Sequence, residues 1–278
     1  MDRLISLLPQ TYGKQLRDRS GPLPDELRLN AGRPMSVFTR GKVERIWPKT
    51  TQDDLELILR SACKQSVYAH TDTIRHGYIT VEGGHRIGLC GFGVVQNDEV
   101  RGIRNVSSMV IRVAKQILGC ADRLLPQIDG SLLLVGPPGS GKTTLLRDLV
   151  RQLSDKRHQR ISLVDERSEL SAGVFGVPQL QVGENTDVLI NIPKATAAMM
   201  MLRTMAPNWI AMDEITSQKD IDAMEQIAYC GVDVLATAHG IGLADLDARP
   251  LYRRMMERKI FKKVVVLEQG GSYHIQEV

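Results

Sequence analysis

Aromatic side chains are scarce in this chain, at 4% of 278 residues. So thin a supply leaves little from which to build the stacking platforms that hold single-stranded nucleic acid. Cysteine is sparse too: Cys63, Cys90, Cys120 and Cys230 form neither a C-x-x-C pair nor a zinc spacing. That argues against a disulfide framework or a structural zinc site and fits reduced thiols in a cytosolic protein. A large charge excess is missing as well, since the formal net charge of +4 is too small to require a nucleic-acid partner. No window approaches the ~20 apolar residues of a membrane span, and the methionine-rich run from Ala197 to Met201 is cut short by Lys194 and Arg203. The opening Met1-Asp2-Arg3-Leu4-Ile5 lacks the apolar stretch of a secretory signal. Any membrane association is therefore expected through partners or surface contacts. His70, His76 and His85 lack the H-x-x-x-H spacing of a helical metal site and receive no role. There is no internal repeat and no low-complexity tract.

What is present is ordinary for a soluble globular protein: 42% hydrophobic and 24% charged residues. The length suits two domains. Apolar positions Leu4, Ile5, Leu7, Leu8 and Leu16 predict an amphipathic opening helix over residues 3–18, stopped by Gly21-Pro22-Leu23-Pro24. Short, turn-bounded runs at 27–30, 34–38 and 43–47 predict a small antiparallel sheet. A helix over Asp53–Ser66 follows, then strands near 78–81, 86–95 and 110–113, with 71–77 reading as loop. Residues 1–115 thus read as a smaller α+β domain without βαβ repetition, and 116–130 as a linker. From 131 to 278 strand-like and helical segments alternate. Strands are expected at 132–135, 161–164, 188–190, 209–212 and 232–237, with helices at 195–205 and 219–229 and a closing hairpin at 264–267 and 273–275. That alternation marks an α/β domain with an open, largely parallel sheet, whose ligands bind at the carboxyl ends of the strands. The locally basic stretch Tyr252–Lys263 reads as a solvated helix face rather than a nucleic-acid or lipid contact.

The strongest signal lies at the start of this second part. Leu132 to Val135 form a short apolar run, and Gly136-Pro137-Pro138-Gly139-Ser140-Gly141-Lys142-Thr143-Thr144 fits G-x-x-x-x-G-K-[ST], the Walker A pattern. Leu145, Leu146, Leu149 and Leu153 then recur at helical spacing. A strand, a glycine loop and a helix are what a phosphate-binding loop needs: the loop amides point at phosphate oxygens, and the helix adds the positive end of its dipole. Lys142 is expected to reach the β- and γ-phosphates of ATP, and the Thr143 hydroxyl to ligate Mg²⁺.

Trp209-Ile210-Ala211-Met212-Asp213-Glu214 is an apolar strand ending in two acids. Asp213 is expected to hold Mg²⁺, directly or through water, and Glu214 to orient or deprotonate the attacking water. Two more strand ends carry polar groups, Asp165-Glu166-Arg167-Ser168-Glu169 and Thr237-Ala238-His239. With parallel strands, Glu166, Glu169 and His239 open onto the nucleotide face. A solvated acidic turn and a structural histidine are the competing readings.

The order of P-loop, acidic box, Leu202-Arg203-x-x-x-Pro207, acid-tipped strand and Thr237-Ala238-His239 resembles the secretion ATPase superfamily, over about Arg75 to His239. Within it, Val164 to Leu170, Asp187 to Ile190 with Pro193-Lys194-Ala195, and Met200 to Pro207 are similar to its sporulation branch. The resemblance implies a RecA-like ATPase domain, hexameric ring assembly and membrane-embedded partners of a transenvelope secretion-like complex built during endospore formation. It also implies a cytoplasmic site in the mother cell, peripheral to the membrane through those partners. By position it puts Glu166 and Glu169 in the aspartate box, Asp213 and Glu214 in Walker B and His239 in the histidine box. The family's aspartate box usually has proline where this chain has Arg167. After Glu214 the chain reads Ile-Thr-Ser-Gln-Lys-Asp where secretion motors tend to have Ile-Arg-Asp or glycine, which leaves the role of Asp220 open. The resemblance further puts Arg86, Arg101 and Arg104 forward as arginines that reach a nucleotide, with Arg75 and Arg112 behind them. A nucleic-acid-binding or translocating ATPase is the alternative, and an ATP-gated scaffold that scarcely turns over a third.

Overall fold

Period-two alternation builds the first part of the chain. In the computed structural model, which describes residues 2–63, 74–75 and 77–278, the chain divides into two units, Met1–Lys115 and Gln116–Val278. Along β1 (Glu26–Asn30), Leu27 and Leu29 turn inward while Glu26, Arg28 and Asn30 turn away, as a half-buried strand requires. With β2 (Pro34–Thr39), β3 (Lys42–Lys49), β4 (Tyr78–Thr80), β5 (Arg86–Gln96) and β6 (Glu99–Arg112) it forms a six-stranded antiparallel sheet in the order β3-β2-β1-β6-β5-β4. Helix Gln52–Ala62 starts at Thr51, whose hydroxyl accepts from the Asp54 amide while Asp54 accepts from the Thr51 amide, a reciprocal capping box. Its Leu55 and Ile58 join Tyr12, Met35, Ile79, Ile87, Met109 and Ile111 in one core.

The opening helix departs from expectation. It is split into Asp2–Ile5 and Gln10–Asp18 by Pro9, which has no N–H to donate and disfavours helical backbone in the residue before it. Residues 64–66 of the helix expected over Asp53–Ser66 lie outside the described residues, as do His70, His76 and most of the expected 71–77 loop.

The second unit is a seven-stranded sheet. Its strands are β7 (Leu132–Gly136), β8 (Ile161–Asp165), β9 (Thr186–Ile190), β10 (Trp209–Met212), β11 (Asp233–His239), β12 (Lys263–Leu267) and β13 (Tyr273–Glu277), in the order β13-β12-β7-β11-β10-β8-β9. All pairings are parallel except β12–β13. Every residue of β7 is buried, which is why it reads as a continuous apolar run. Leu132 and Leu134 pack with Leu145, Leu149 and Leu153 of helix Lys142–Arg157 on one face. On the other, Leu133 and Val135 share a core with Met201, Ile221, Met224, Tyr252 and Met255 from helices Lys194–Thr204, Gln218–Tyr229 and Pro250–Glu257. Residues 116–130, expected to be a linker, supply Ala121, Leu124, Leu125 and Ile128 to the first of these cores. In the basic stretch Tyr252 and Met255 turn inward, while Arg253 pairs with Asp247 and Arg258 with Glu225 on the outside. Among the described residues no helix is long and apolar enough to cross a membrane.

His85, unassigned from sequence, is a buried residue whose Nδ1 accepts from the Ala114 amide at 3.1 Å. Burial disfavours the imidazolium and pushes its pKa down from 6.5 to about 4. The unfolded chain therefore takes up a proton that the folded unit refuses, so this contribution is complete above pH 6.5 and is lost as pH falls toward 4. At roughly 1.4 kcal/mol per pKa unit the loss is about 3 kcal/mol. Urea unfolding at a series of pH values checks this, and His85→Asn, which keeps an acceptor for Ala114, is expected to flatten the slope.

Candidate active site

The turn from β7 into helix Lys142–Arg157 is made of backbone that side chains would obstruct. A Cβ on Gly136 would sit 2.5 Å from Ser140 Oγ and 3.0 Å from the Leu267 carbonyl, and Gly139 and Gly141 hold φ of +76° and +92°. The helix has Gly141 at its N-cap, no side-chain cap and no acidic residue in its first turn. Its first amides thus have no partner within the helix, and its positive dipole end is uncompensated. Pro137 and Pro138 offer no N–H, which leaves donation to the amides of 139–144. Ser140 Oγ is buried without a hydrogen-bond partner among the described residues. Lys142 is buried, and its Nζ donates to the carbonyls of Gly136 at 2.7 Å and Pro137 at 2.9 Å. Burial pushes the Lys142 pKa down, opposed by the Asp213 and Glu214 carboxylates. An uncapped helix start, an orphaned hydroxyl and a desolvated ammonium form a cradle that fits a polyphosphate.

Asp213 follows β10 and is held from three sides. Its Oδ2 accepts from Thr143 Oγ1 at 2.8 Å, while its Oδ1 accepts from the Thr237 hydroxyl and from the Glu214 amide at 3.0 Å. The Thr237 hydroxyl also accepts from the Glu214 amide at 2.8 Å. A hydroxyl and a carboxylate side by side at the foot of a phosphate loop are hard oxygen donors that suit Mg²⁺, which takes one or two carboxylates along with phosphate and water. Among the described residues no group of three or more His, Cys, Asp or Glu side chains could hold a metal.

Glu214 has φ of +45°, a sparsely populated conformation for a residue with a side chain. Its Oε1 lies 3.2 Å from His239 Nε2 and its Oε2 3.4 Å from Arg167 Nη1. His239 Nδ1 in turn lies 3.2 Å from Lys142 Nζ. An ammonium only donates, so Nδ1 is the acceptor; these partners assign the proton to Nε2, facing Glu214.

The acidic turn after β8 divides its labour. Asp165 is buried and accepts from the amides of Glu169 (2.9 Å), Leu170 (3.1 Å) and Ser171 (2.7 Å) and from Ser171 Oγ (2.6 Å). Arg147, from the helix after the phosphate loop, donates to the carbonyls of Glu169 at 2.8 Å and Leu170 at 2.5 Å. Burial pushes the Arg147 pKa down, opposed by Asp165 and Asp213. Glu166 pairs at 2.9 Å with the buried Lys194. Glu166, Arg167, Glu169, Lys194, Asp213 and Glu214 line one cleft.

The fold thus brings Lys142, Thr143, Asp213, Glu214 and His239 into one contact network, with Glu166 and Glu169 on the wall of the same cleft. The three arginines belong to the other unit. Arg86 stacks on the Tyr78 ring at 3.7 Å, Arg101 pairs with Glu99 at 3.1 Å, and Arg104 is exposed on β6. Asp220 is a capping residue, its Oδ2 accepting from the amides of Thr216 and Ser217 at the start of helix Gln218–Tyr229. Sequence reasoning missed Thr237, Arg147 and Lys194 as parts of the site. The signals present were a lone hydroxyl in the apolar run of β11 and a lone cation among the apolar positions of the P-loop helix.

The family described as Sporulation stage III, protein AA matches residues 14–276. Stage III sporulation protein AA of Bacillus subtilis (strain 168) is 38% identical over 285 aligned residues, covering 97% of this chain and 92% of that protein. Among solved structures, the pilus retraction motor PilT with bound ADP aligns with a TM-score of 0.64 at 18% identity, over 95% of this chain and 81% of that one. The Legionella pneumophila ATPase DotB aligns with a TM-score of 0.56 at 16% identity, over 87% and 71%. The second unit's largely parallel sheet and these likenesses establish the fold as a RecA-like α/β domain.

Because Asp165 accepts four hydrogen bonds in a buried turn, Asp165→Asn puts an amide donor among donors and removes a charge. The expected cost is about 2–4 kcal/mol, or a drop in melting temperature of roughly 5–10 °C. An unchanged thermal melt would remove Asp165 from the scaffold of this turn.

Proposed function

The chain belongs to the sporulation stage III protein AA family, and from that premise we propose that it is a Mg²⁺-dependent ATPase that powers or gates a transenvelope secretion-like complex during endospore formation. The observation that carries the reading is the meeting, at one sheet edge, of an uncapped glycine loop, the Thr143–Asp213 pair and Glu214. These are an anion cradle, a metal-binding pair of oxygens and a carboxylate able to act on water.

Hydrolysis adds water to the γ-phosphorus, breaks its bond to the β–γ bridging oxygen, and leaves ADP and phosphate. In this reading Lys142 exchanges the Gly136 and Pro137 carbonyls for phosphate oxygens, which offsets its present desolvation with direct charge contacts. The loop amides and Ser140 Oγ complete the cradle. Thr143 and Asp213 hold Mg²⁺, whose charge offsets that of the phosphates. Glu214 orients the water and takes its proton, while the proton on His239 Nε2 steadies the carboxylate. Glu166 is already paired with Lys194, which favours Glu214 over it as the base. Glu169 faces the same cleft without that commitment to Lys194.

The wider reading follows the family. Subunits form a homo-oligomeric ring, six-membered as in secretion ATPases, with Arg86, Arg101 and Arg104 as candidates to reach a neighbour's nucleotide. Membrane-embedded proteins of the complex recruit the ring to the cytoplasmic face in the mother cell. Nucleic acid is not part of this reading, since Arg253 and Arg258 in the basic stretch are engaged by Asp247 and Glu225.

ATP turnover by the wild type, Lys142→Ala and Glu214→Gln, with and without single-stranded and duplex DNA over a salt series, tests the proposal. Wild-type turnover indifferent to DNA is expected, abolished in Lys142→Ala and lowered on the order of 100-fold in Glu214→Gln with ATP binding kept. Stimulation by DNA that fades steeply with salt would establish the nucleic-acid motor instead. Turnover surviving in Lys142→Ala would overturn the assignment of the phosphate loop.

A further inference from the structure

The cleft beside the phosphate loop has an electrostatic problem. Its lining carries five carboxylates and two cations, Arg167 and Lys194. A triphosphate brings more negative charge to that wall, and like charges in a partly desolvated space repel strongly. Lys194 offers little relief, because its side chain is buried and paired at 2.9 Å with Glu166. Arg167 differs in kind. Its side chain is 65% exposed, and its contact with Glu214 is single and long, 3.4 Å from Nη1 to Oε2.

Exposed pairs of this sort contribute little to stability, so the contact exchanges easily. The backbone beneath it is firmly fixed: Asp165 gathers the amides of Glu169, Leu170 and Ser171, and Arg147 holds the carbonyls of Glu169 and Leu170. Arg167 is thus an exposed side chain on a fixed backbone, resting on the carboxylate assigned to act on water. A guanidinium offers two parallel donors to a phosphate, whereas its present contact uses one. When it leaves, Glu214 keeps its other oxygen on His239 Nε2 and so keeps its orientation.

We infer that Arg167 is a γ-phosphate-responsive cation supplied within the same subunit. It pairs with Glu214 while the cleft lacks a γ-phosphate, then moves onto the γ-phosphate of ATP, freeing that carboxylate and countering charge on the transferring phosphoryl group. The inference rests on the hydrolytic reading for its catalytic half. Its binding half stands on nucleotide recognition alone.

The test uses the full chain as wild type, Arg167→Ala and Arg167→Lys. It measures affinities for Mg²⁺ with ADP or with the non-hydrolysable analogue AMP-PNP, and kcat and KM for ATP. Arg167→Ala is expected to lose about tenfold in AMP-PNP affinity with ADP affinity held within about twofold, and kcat on the order of 10- to 100-fold. Arg167→Lys restores part of the AMP-PNP preference through its point charge but less of kcat, lacking the fork. Since the side chain is exposed, thermal melts stay level and exclude misfolding as the cause. An Arg167→Ala protein with wild-type kcat and wild-type AMP-PNP-to-ADP ratio overturns the inference. So does a raised kcat with that ratio unchanged, which would make Arg167 only a brake on Glu214. If the wild type binds AMP-PNP but does not hydrolyse ATP, the hydrolytic reading and the catalytic half fall, while the nucleotide ratio still decides the γ-phosphate contact. A wild type that binds neither nucleotide sinks both.

Discussion

Parallel pairing in the second unit's sheet is the constraint on which the site depends. β11 runs beside β7 with His239 opposite Gly136, and β10 runs between β11 and β8 with Met212 opposite Ala236 and Val164. Because all four run the same way, the next residues of each chain emerge at one edge: the phosphate loop after Gly136, Asp213 after Met212, Glu166 after Asp165. An antiparallel insertion among them would carry one of these groups to the opposite edge, some five residues and about 16 Å away at strand rise. Burial on both faces makes this register strict. Leu132 and Leu134 belong to one core and Leu133 and Val135 to the other, so a one-residue slip would exchange them.

Such an edge concentrates charge, and the local structure is a set of answers to that. Asp165 spends its acceptors on three amides and a hydroxyl, and Asp220 on two amides at a helix start. A carboxylate so surrounded has its acceptor oxygens engaged without needing a cation. It can then serve as rigid scaffold. The groups left with replaceable partners are few: Lys142 on two carbonyls, Glu214 between His239 and Arg167, and Arg167 itself. This separation of saturated from exchangeable charges, more than any single contact, divides residues that hold the site from those able to respond to a ligand.

What could be read from sequence follows the same physics. The glycine loop was legible because its demands are local: Gly136 has no room for a Cβ, and Gly139 and Gly141 need left-handed backbone. The acid-tipped strand was legible because four buried residues precede two acids. Asp220 was readable in principle, since Ser217-x-x-Asp220 is a capping box, while the family resemblance alone leaves its role open. Arg147, Thr237 and Lys194 were not legible, because each matters only through a group 22 to 28 residues away in sequence. The break at Pro9 shows the opposite failure, a plain local signal overridden by an attractive apolar periodicity. Residues 116–130 were read as a connector although Ala121, Leu124, Leu125 and Ile128 recur at helical spacing and are buried.

That last segment is tied into the second unit by specific bonds. The Asp148 carboxylate, on the P-loop helix, accepts from the Ala121 amide at 2.9 Å, and the Gln116 side chain pairs reciprocally with the Gln181 backbone at 3.0 Å in both directions. Residues following Lys115 are therefore bonded to the P-loop helix and to the loop that leads into β9. The connection is hydrogen-bonded and packed rather than slack. Residues 116–130, expected to be a linker, are thus an integral part of the second unit's core and hydrogen-bond network.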